Sequence, residues 1–153
     1  MPRTSAGLLM YRIKEGVIEV LLAHPGGPYF AKKDEGAWTI PKGEPDADED
    51  LFLTAQREFE EETGLKPQGT FVPLNPIKQK GGKIVHAWAF EGDCDPTSVK
   101  SCLFTMEWPP RSGRQAEFPE VDRAEFFSLE AARTKIKSGQ EGFLNDLTAL
   151  LKK

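Results

Sequence analysis

Acidic side chains are concentrated in one short segment of the chain. Between Glu44 and Glu62 nine residues are acidic and only Arg57 is basic, so the segment has a charge of −8. The whole chain of 153 residues has a net charge of −4, which leaves +4 for the remainder. A cation bound by these acids beside a mildly basic surface would suit a polyanionic small ligand. The simplest alternative is a solvated acidic face, so the spacing of the acids must decide between the two.

The acids that could act together lie at the end of a predicted helix. At about 100° per residue, the apolar side chains of this segment fall on one side and should face the core: Leu51, Phe52, Ala55 and Phe59. Glu58, Glu61 and Glu62 fall within an arc of about 100° at the border of that apolar face, whereas Glu60 points elsewhere. Three carboxylates therefore converge where the core meets the solvent.

Such a cluster is unfavourable unless a cation compensates for it. Glu58 and Glu62 form an i, i+4 pair of like charges, which costs about 0.2–0.5 kcal/mol even when exposed. Arg57 can pair with Glu61, but one guanidinium cannot neutralise three carboxylates. A hard divalent cation can, and Mg²⁺ prefers oxygen ligands while it keeps waters and substrate phosphates in its shell. The clustering therefore favours a Mg²⁺ site, with Mn²⁺ as an alternative.

The segment from Gly43 to Leu65 resembles the Nudix box, G-x5-E-x7-R-E-U-x-E-E-x-G-U, in which U is a bulky apolar residue. Every specified position of that pattern matches. The resemblance extends over nearly the whole chain, from about Arg3 to Leu151. It implies an α+β fold of the Nudix type, an α/β/α sandwich with a mixed central sheet, one catalytic helix and two C-terminal helices. It also implies a single domain over residues 1–153.

The resemblance further implies a role for each matching residue. The metal-binding positions would be Gly43, through its backbone carbonyl, Glu58, Glu61 and Glu62. Arg57 would orient these glutamates by ion pairing, and Glu49 would support that network. The implied activity is the hydrolysis of a phosphoanhydride bond. In this reaction divalent cations neutralise phosphate oxygens and activate a water, and a carboxylate removes the proton of that water.

A further glutamate downstream of the box often assists the reaction in this family. Glu117 and Glu120, in the segment AEFPEVD, are the two candidates. Glu120 is preferred because it shortly precedes a predicted strand, although an exposed loop acid is an equally good explanation for either residue.

The substrate is indicated by segments outside the box. SAGLLMYR, VLLAHPGG, WTIPKGE and the C-terminal FFSLEAARTKIKSGQEGFLNDL are similar to the branch that contains the diadenosine tetraphosphate hydrolases. This implies a dinucleoside polyphosphate substrate. The alternatives are nucleoside triphosphates, nucleotide sugars, capped RNA ends or inositol pyrophosphates. A Nudix-fold binding module without catalysis is disfavoured, because such modules would be expected to lose box carboxylates.

Basic and aromatic residues near the box are the candidates for substrate binding. The candidates are Lys42 beside the box, Arg111 and Arg114 in WPPRSGR, and Trp108 at the end of a strand. Lys32 and Lys33 precede the box and are further candidates. A solvated surface charge is the common alternative for each Lys and Arg, and Trp38 is better explained as a core residue.

Strands and helices must position these residues. The predicted strands are Ser5–Tyr11, Val17–Ala23, Ala37–Ile40, Phe71–Lys78, Lys83–Phe90, Cys102–Trp108 and Glu125–Phe127. The predicted helices are Asp48–Thr63, Leu129–Lys137 and Phe143–Leu151. Gly81-Gly82 predicts a hairpin turn, and the proline-rich stretch after Trp108 predicts a loop.

Several classes of protein are disfavoured. There is no run of apolar residues that could cross a bilayer and no signal-peptide pattern, so we expect a cytoplasmic protein. Cys94 and Cys102 predict reduced thiols, and His24 and His86 predict structural residues and no metal pair. A nucleotide-driven motor is not supported without a G-x-x-x-x-G-K-[ST] loop. Without a Lys/Arg-rich stripe, the expected partner is a small nucleotide and not a long nucleic acid. The chain is expected to be a monomer or homodimer.

Overall fold

Two long antiparallel strands, β1 (Thr4–Lys14) and β2 (Val17–Pro25), begin the fold. The computed structural model describes residues 3–79 and 81–152. Glu15 and Gly16 turn the chain between these strands with positive φ angles of 52° and 79°. Both strands were predicted from their apolar runs, and both extend beyond the predicted ends.

The sheet that contains these strands is mixed. The other strands are β3 (Lys42–Gly43), β4 (Phe71–Pro73), β5 (Ile77–Lys78), β6 (Ile84–Glu91), β7 (Leu103–Glu107), β8 (Gln115–Pro119) and β9 (Val121–Ser128). The main sheet has the order β4-β6-β1-β2-β9, with β3 paired to β1 and β5 paired to β6. β1 and β6 run parallel, and the other pairs of this sheet are antiparallel. β7 and β8 form a separate two-stranded ribbon.

Helices cover both faces of the sheet, as the α/β/α prediction requires. They are α1 (Leu51–Thr63), α2 (Leu129–Lys135) and α3 (Glu141–Leu151). Side chains of β1 alternate between the two faces. Ala6, Leu8 and Met10 pack in the cluster that contains α1. Leu9 packs in the opposite cluster, with α2 and α3. Among the described residues, none of the helices has the length and apolar character needed to cross a membrane.

Local signals explain where α1 begins and ends. Asp50 has extended backbone, and its carboxylate accepts hydrogen bonds from the N–H groups of Phe52 and Leu53 at 3.1 and 3.3 Å. This cap makes Leu51 the first helical residue, so the predicted start at Asp48 was too early. Gly64 ends the helix with a φ of 76°, a left-handed conformation that glycine adopts without strain.

The core face of α1 agrees in part with the predicted apolar side. Ala55 and Phe59 are fully buried. Leu51 and Phe52 are only half-buried, because they lie near the exposed beginning of the helix.

The predicted strand Ala37–Ile40 is wrong. Trp38 and Thr39 make only isolated bridges, to Ile136 and Ala23 respectively, on two different neighbours. A ladder needs successive residues to pair with one neighbour, so no strand forms here. Trp38 is nevertheless a core residue, as expected, with 1% of its surface exposed.

The predicted strand Phe71–Lys78 is divided into β4 and β5 by a break that contains Pro76, which has no N–H to donate. The hairpin between β5 and β6 is confirmed, with Ile77 opposite Val85 and Lys78 opposite Ile84. α2 ends two residues before the predicted Lys137. The C-terminal helix begins at Glu141, two residues before the predicted Phe143.

The stretch after Trp108 is not entirely a loop. Residues Gln115–Pro119 form β8 and pair with β7 over five residues on each strand. β9 begins at Val121, four residues before the predicted start of that strand. Proline and glycine predicted a loop here, but an edge ribbon accommodates Pro119 at its end. Cys94 and Cys102 are free thiols, in agreement with the sequence.

Candidate active site

A short strand brings the beginning of the box against the end of α1. β3 pairs antiparallel with β1, with Lys42 opposite Gly7 and Gly43 opposite Ala6. A side chain at position 43 would collide with the carboxyl group of Glu58, so the close approach requires glycine. The backbone of Gly43 and the carboxylate of Glu58 are therefore neighbours, as two metal ligands would need to be.

Arg57 is the centre of a hydrogen-bond network. Its Nε and Nη2 donate to the two carboxylate oxygens of Glu49, at 2.9 and 2.8 Å. Its Nη1 donates to both oxygens of Glu61, at 2.9 and 3.1 Å, and to Glu58 at 3.0 Å. Glu49 also accepts from the hydroxyl of Thr54 at 2.8 Å. Arg57 thus links the loop before the helix to two of the three clustered glutamates.

These hydrogen bonds stabilise the charged forms of Glu49 and Arg57. The hydrogen bond to Arg57 is the main reason that the pKa of Glu49 falls to about 2. The same bond, together with the one to Glu61, raises the pKa of the Arg57 guanidinium. The carboxylate of Glu49 is therefore fully charged and fully partnered at neutral pH.

Glu62 is in a different environment. Its pKa is raised to about 8, mainly by burial and then by the charges of Glu58 and Glu120. The charge of Lys42 and a backbone hydrogen bond from that residue oppose this shift only in part. Within residues 3–79 and 81–152, no ion pair contains Glu62. Burial, and then the charge of Glu61, also raises the pKa of Glu58.

The structure brings Glu120 to this cluster and leaves Glu117 outside it. Glu120 connects β8 to β9, and its N–H donates to the carbonyl of Cys102, whose own N–H donates to the carbonyl of Glu61. Partial burial and the charge of Glu61 raise the pKa of the Glu120 carboxyl, although the residue is largely exposed. Glu117 lies within β8, opposite Thr105, and is exposed.

The carboxylates match the donors of a hard divalent cation. Glu58 and Glu62 are desolvated, repel each other and supply only oxygen atoms, which Mg²⁺ and similar ions prefer. Gly43, Glu58 and Glu62 are the residues that would hold the ion. Glu61 lies beside them, but both of its oxygens are bonded to Arg57. The part of the chain that the structure describes contains no preformed group of three His, Cys, Asp or Glu ligands.

Lys42 is the predicted substrate-binding residue that lies nearest the cluster. It is half-buried, and burial followed by the charge of Lys83 lowers its pKa to about 8. The charge of Glu62 acts in the opposite direction, and that of Lys137 in the same direction. Lys83 and Lys137 were missed by sequence reasoning, because they are distant in the chain and single lysines carry no positional signal.

The other predicted substrate residues lie on the β7–β8 ribbon. Glu107 accepts hydrogen bonds from the N–H groups of Arg111 and Gly113, at 3.2 and 3.0 Å, and so holds the turn. Trp108 packs edge to face against Tyr29, with ring centroids 5.4 Å apart. Tyr29 is largely exposed and was also missed. In the described residues, no hydrogen bond or ion pair joins Arg111 or Arg114 to the acidic cluster.

The loop that carries Tyr29 also contains Lys32 and Lys33, which are both exposed. The carbonyl of Lys33 lies 2.6 Å from Nε2 of the buried His24. His24 contacts Asp122 through Nδ1 at 2.8 Å, which agrees with the structural role predicted for this histidine.

The comparisons with known proteins are consistent in pointing to one family. The model of the NUDIX domain matches residues 1–147. C. elegans Ap4A hydrolase is 25% identical and has a TM-score of 0.65, over 99% of each chain. The NUDIX domain of Shewanella oneidensis NrtR, in a complex with ADP ribose, has a TM-score of 0.66 at 15% identity, over 99% of this chain and 90% of that chain. None of the curated proteins compared with this sequence matches it.

Proposed function

This chain belongs to the Nudix family of hydrolases, which act on phosphorus-containing acid anhydrides, and we propose that its own substrate is a dinucleoside polyphosphate. Diadenosine tetraphosphate is the substrate that we expect, with ATP and AMP as products. Mg²⁺ is the cation that we expect, with Mn²⁺ as a substitute.

The desolvated pair Glu58 and Glu62 is the observation that carries the proposal. Two carboxylates that repel each other at a partly buried site lower stability. A divalent cation held by both would offset their repulsion and neutralise phosphate oxygens of the substrate, which explains why they are together. When bound, the divalent cation supplies Lewis acidity toward the phosphate and lowers the pKa of an attacking water. Arg57 holds Glu58 and Glu61 in place for that chemistry.

Residues of the chain supply the remaining steps. Glu120 is the residue that we expect to accept the proton of the attacking water, because its charge acts on Glu62 and its own pKa is raised by partial burial. The ammonium of Lys42 offsets the negative charge of the bound phosphates. Catalysis would depend mainly on the positioning of water and phosphate at the end of α1 and on charge stabilisation.

The choice of dinucleoside polyphosphate is supported by two features. The first is the similarity over the full length to C. elegans Ap4A hydrolase. The second is the pair of aromatic rings, Tyr29 and Trp108, beside the exposed Arg111 and Arg114, which could stack on a base and contact phosphates. We expect the protein to act in the cytoplasm as a monomer or homodimer.

A product analysis tests the proposal. The protein is incubated with Mg²⁺ and a panel of substrates, namely diadenosine tetraphosphate, nucleoside triphosphates, nucleotide sugars and capped RNA, and the products are separated by chromatography. Glu62→Gln should abolish turnover. Glu60→Gln is the matched control, because Glu60 is an exposed glutamate on the same helix.

Each result has a distinct meaning. ATP plus AMP from diadenosine tetraphosphate supports the proposed substrate. Faster release of pyrophosphate from a triphosphate would keep the mechanism and reject that substrate. Tight binding of an intact nucleotide with Mg²⁺ and no turnover would reject catalysis and leave a binding module.

A further inference from the structure

His24 is a buried polar residue that the proposed reaction does not involve. It is the second-last residue of β2, and only 1% of it is exposed. Its Nδ1 lies 2.8 Å from a carboxylate oxygen of Asp122, and its Nε2 lies 2.6 Å from the carbonyl oxygen of Lys33. The ring also packs edge to face against Trp38, with ring centroids 5.1 Å apart. Contacts on three sides therefore hold the imidazole in one orientation.

An irregularity in the pairing of β2 with β9 places Asp122 at this ring. His24 lies opposite Arg123 and Pro25 lies opposite Val121, so Asp122 has no opposite residue on β2. In a regular strand the side chain of Asp122 would point to the other face of the sheet from that of Arg123. A β-bulge redirects such a side chain. One carboxylate oxygen thus reaches the buried ring while 33% of the Asp122 side chain stays exposed.

The two polar partners of the ring can only accept hydrogen bonds. An ionised carboxylate and a backbone carbonyl have no proton to donate, and a neutral imidazole has a single N–H. A neutral ring would therefore turn a nitrogen lone pair toward an oxygen at 2.6 or 2.8 Å, which is repulsive. Only the doubly protonated ring donates to Asp122 and Lys33 at the same time.

The charge that contacts the ring is negative. The charged residues on the elements that pack around it are Asp122 and Arg123 on β9, Lys33 and Asp34 on the loop after β2, and Lys135 on α2. Asp34 and Lys135 form an ion pair with each other, and the guanidinium of Arg123 lies 5.0 Å from the centre of the Trp38 ring. The carboxylate of Asp122 is in direct contact with His24 and stabilises a positive charge there.

The loop that follows β2, residues 26–36, is attached through His24. The N–H of its first residue donates to the carbonyl of Glu120 at 2.9 Å. Over the ranges that the structure describes, the contact between His24 and Lys33 is the only hydrogen bond that joins residues 27–33 to a part of the chain outside the loop. The other hydrogen bonds of that segment run within it.

Two parts of the candidate site therefore meet at His24. The loop carries Tyr29, which packs against Trp108. Asp122 lies two residues after Glu120, the expected base. A ring that donates to the loop on one side and to Asp122 on the other holds these two parts of the site in a fixed relation.

We propose that His24 is a positioning residue, which in its doubly protonated form fixes the loop of residues 26–36 against the segment that carries Glu120. The consequence for substrate binding rests on the proposed function. Loss of one ring proton would leave either Asp122 or Lys33 without its donor. A loop without this attachment would have to be ordered when the substrate binds, which raises KM more than it lowers kcat.

Nitrogen NMR of the imidazole rings tests the protonation state without metal, substrate or turnover. Spectra of the wild-type protein in EDTA at pH 7 should show both ring nitrogens of His24 protonated. His24→Gln identifies the signals, because His86 is the only other histidine. Asp122→Asn removes the negative charge and can donate from its amide to Nδ1, so His24 should carry a single proton in that variant. A singly protonated His24 in the wild type would overturn the proposal.

Two substitutions of His24 separate the attachment of the loop from the packing of the ring. Glutamine extends about as far as Nε2, so His24→Gln can still donate to the carbonyl of Lys33. The shorter side chain in His24→Asn can reach only Asp122. Hydrogen exchange of residues 27–33 should therefore be several-fold faster in His24→Asn than in His24→Gln, and equal exchange in β6 would show that the fold is intact. Equal exchange of residues 27–33 in the two variants would overturn the positioning role.

Kinetic measurements separate this inference from the proposed function. KM for diadenosine tetraphosphate should rise several-fold in His24→Asn and less in His24→Gln, with little change in kcat. Equal KM values in the two variants would overturn the role of His24 in substrate binding. Absence of turnover by the wild type on every substrate would refute the proposed function, whereas the NMR and exchange measurements would still decide whether His24 holds the loop.

Discussion

Glu49 and Glu62 are carboxylates of the same short segment in opposite environments. Glu49 receives a bidentate contact from Arg57 and a hydroxyl from Thr54, and its pKa is about 2. Glu62 is more deeply buried, has acidic neighbours, and has a pKa of about 8. The first carboxylate has all of its partners within the chain. The second lacks a partner of sufficient charge.

This difference in environment distinguishes residues that stabilise the site from residues that would bind a ligand. Arg57 and Glu49 stabilise the fold, because each satisfies the other. Glu58 and Glu62 lower the stability of the metal-free protein, and a cation would reverse that effect. Substitutions in the Arg57–Glu49 pair and in the Glu58–Glu62 pair should therefore have opposite effects on the stability of the metal-free protein, and only the second pair should respond to metal.

The largest expected effect is at Glu62. Glu62→Gln should lower turnover by roughly 10²–10⁴-fold, because a charged ligand is lost from the reacting centre. It should not lower the melting temperature of the metal-free protein, because a buried, repelling carboxyl is removed. Calorimetry with and without Mg²⁺ measures this, and the stabilisation by Mg²⁺ that is expected for the wild type should disappear. A destabilised variant that still responds to Mg²⁺ would contradict the comparison.

Arg57 should show the opposite behaviour. Arg57→Gln removes the partner of Glu49, Glu58 and Glu61, and the free energy of unfolding should fall by about 2 kcal/mol. This is less than for a fully buried pair, because 29% of the Arg57 side chain is exposed. Urea denaturation measures it. A double-mutant cycle with Glu49→Gln should show that the effects of the two substitutions are not additive, and strict additivity would refute the pairing as a source of stability.

The two carboxyls should also produce different pH dependences. The pKa of Glu62 is raised in the folded state, so its contribution to stability is present below about pH 4.5 and is lost as the pH rises through about 8. The pKa of Glu49 is lowered, so its contribution is present above about pH 4.5 and is lost as the pH falls toward about 2. Melting temperatures in EDTA should therefore decline between pH 5 and pH 8.

The corresponding decrease in the free energy of unfolding is limited to about 1.4 kcal/mol per pH unit, because only one proton is involved. Glu62→Gln should flatten it, and Mg²⁺ should stabilise the wild type more at pH 8 than at pH 6. The same melting curves, recorded over pH 5–9, give both results. A slope that persists in Glu62→Gln would mean that another group titrates.

Glu120 should give a smaller effect, on turnover alone. Glu120→Gln should lower kcat about tenfold or more with little change in melting temperature, because its carboxyl lies at the exposed edge of the cluster. Glu117→Gln is the matched control, three residues away on β8. Equal kcat values for the two variants would exclude a role for Glu120 in the reaction.

The smallest expected effect is on the ribbon. Arg111→Ala should raise KM for diadenosine tetraphosphate by a few-fold and leave kcat unchanged. The effect is small because Arg111 is exposed, and an exposed charge contributes little to binding energy. Arg3→Ala serves as the control. An unchanged KM would remove Arg111 from the substrate-binding residues.

The parts of the site that could be predicted from sequence depend on local geometry. Glu58, Glu61 and Glu62 lie on one helix, whose periodicity fixes their directions, and the contact of Arg57 with Glu61 follows from the same spacing. The mixed sheet with helices on both faces was likewise predicted from the family resemblance and is confirmed.

The features that could not be predicted depend on contacts between residues that are distant in the sequence. Lys83 and Lys137 meet Lys42 only after the hairpin and the turn past α2 pack together, which no local pattern encodes. Gln115–Pro119 was interpreted as part of a loop because the stretch after Trp108 is rich in proline and glycine, but these residues form β8. The pairing of Arg57 with Glu61 was predicted, but the sequence did not indicate that Arg57 would engage both oxygens of that carboxylate.

The parallel pairing of β1 with β6 has a consequence for the order of folding. Strand β1 lies at the centre of the sheet, yet its partner along Ile84–Glu91 is synthesised some seventy residues after β1 ends. Long loop closures of this kind slow folding. The whole segment from Gly43 to Glu62 lies inside that closure. During refolding, recovery of hydrolytic activity should therefore follow the closing of the central sheet and report the last stages of folding.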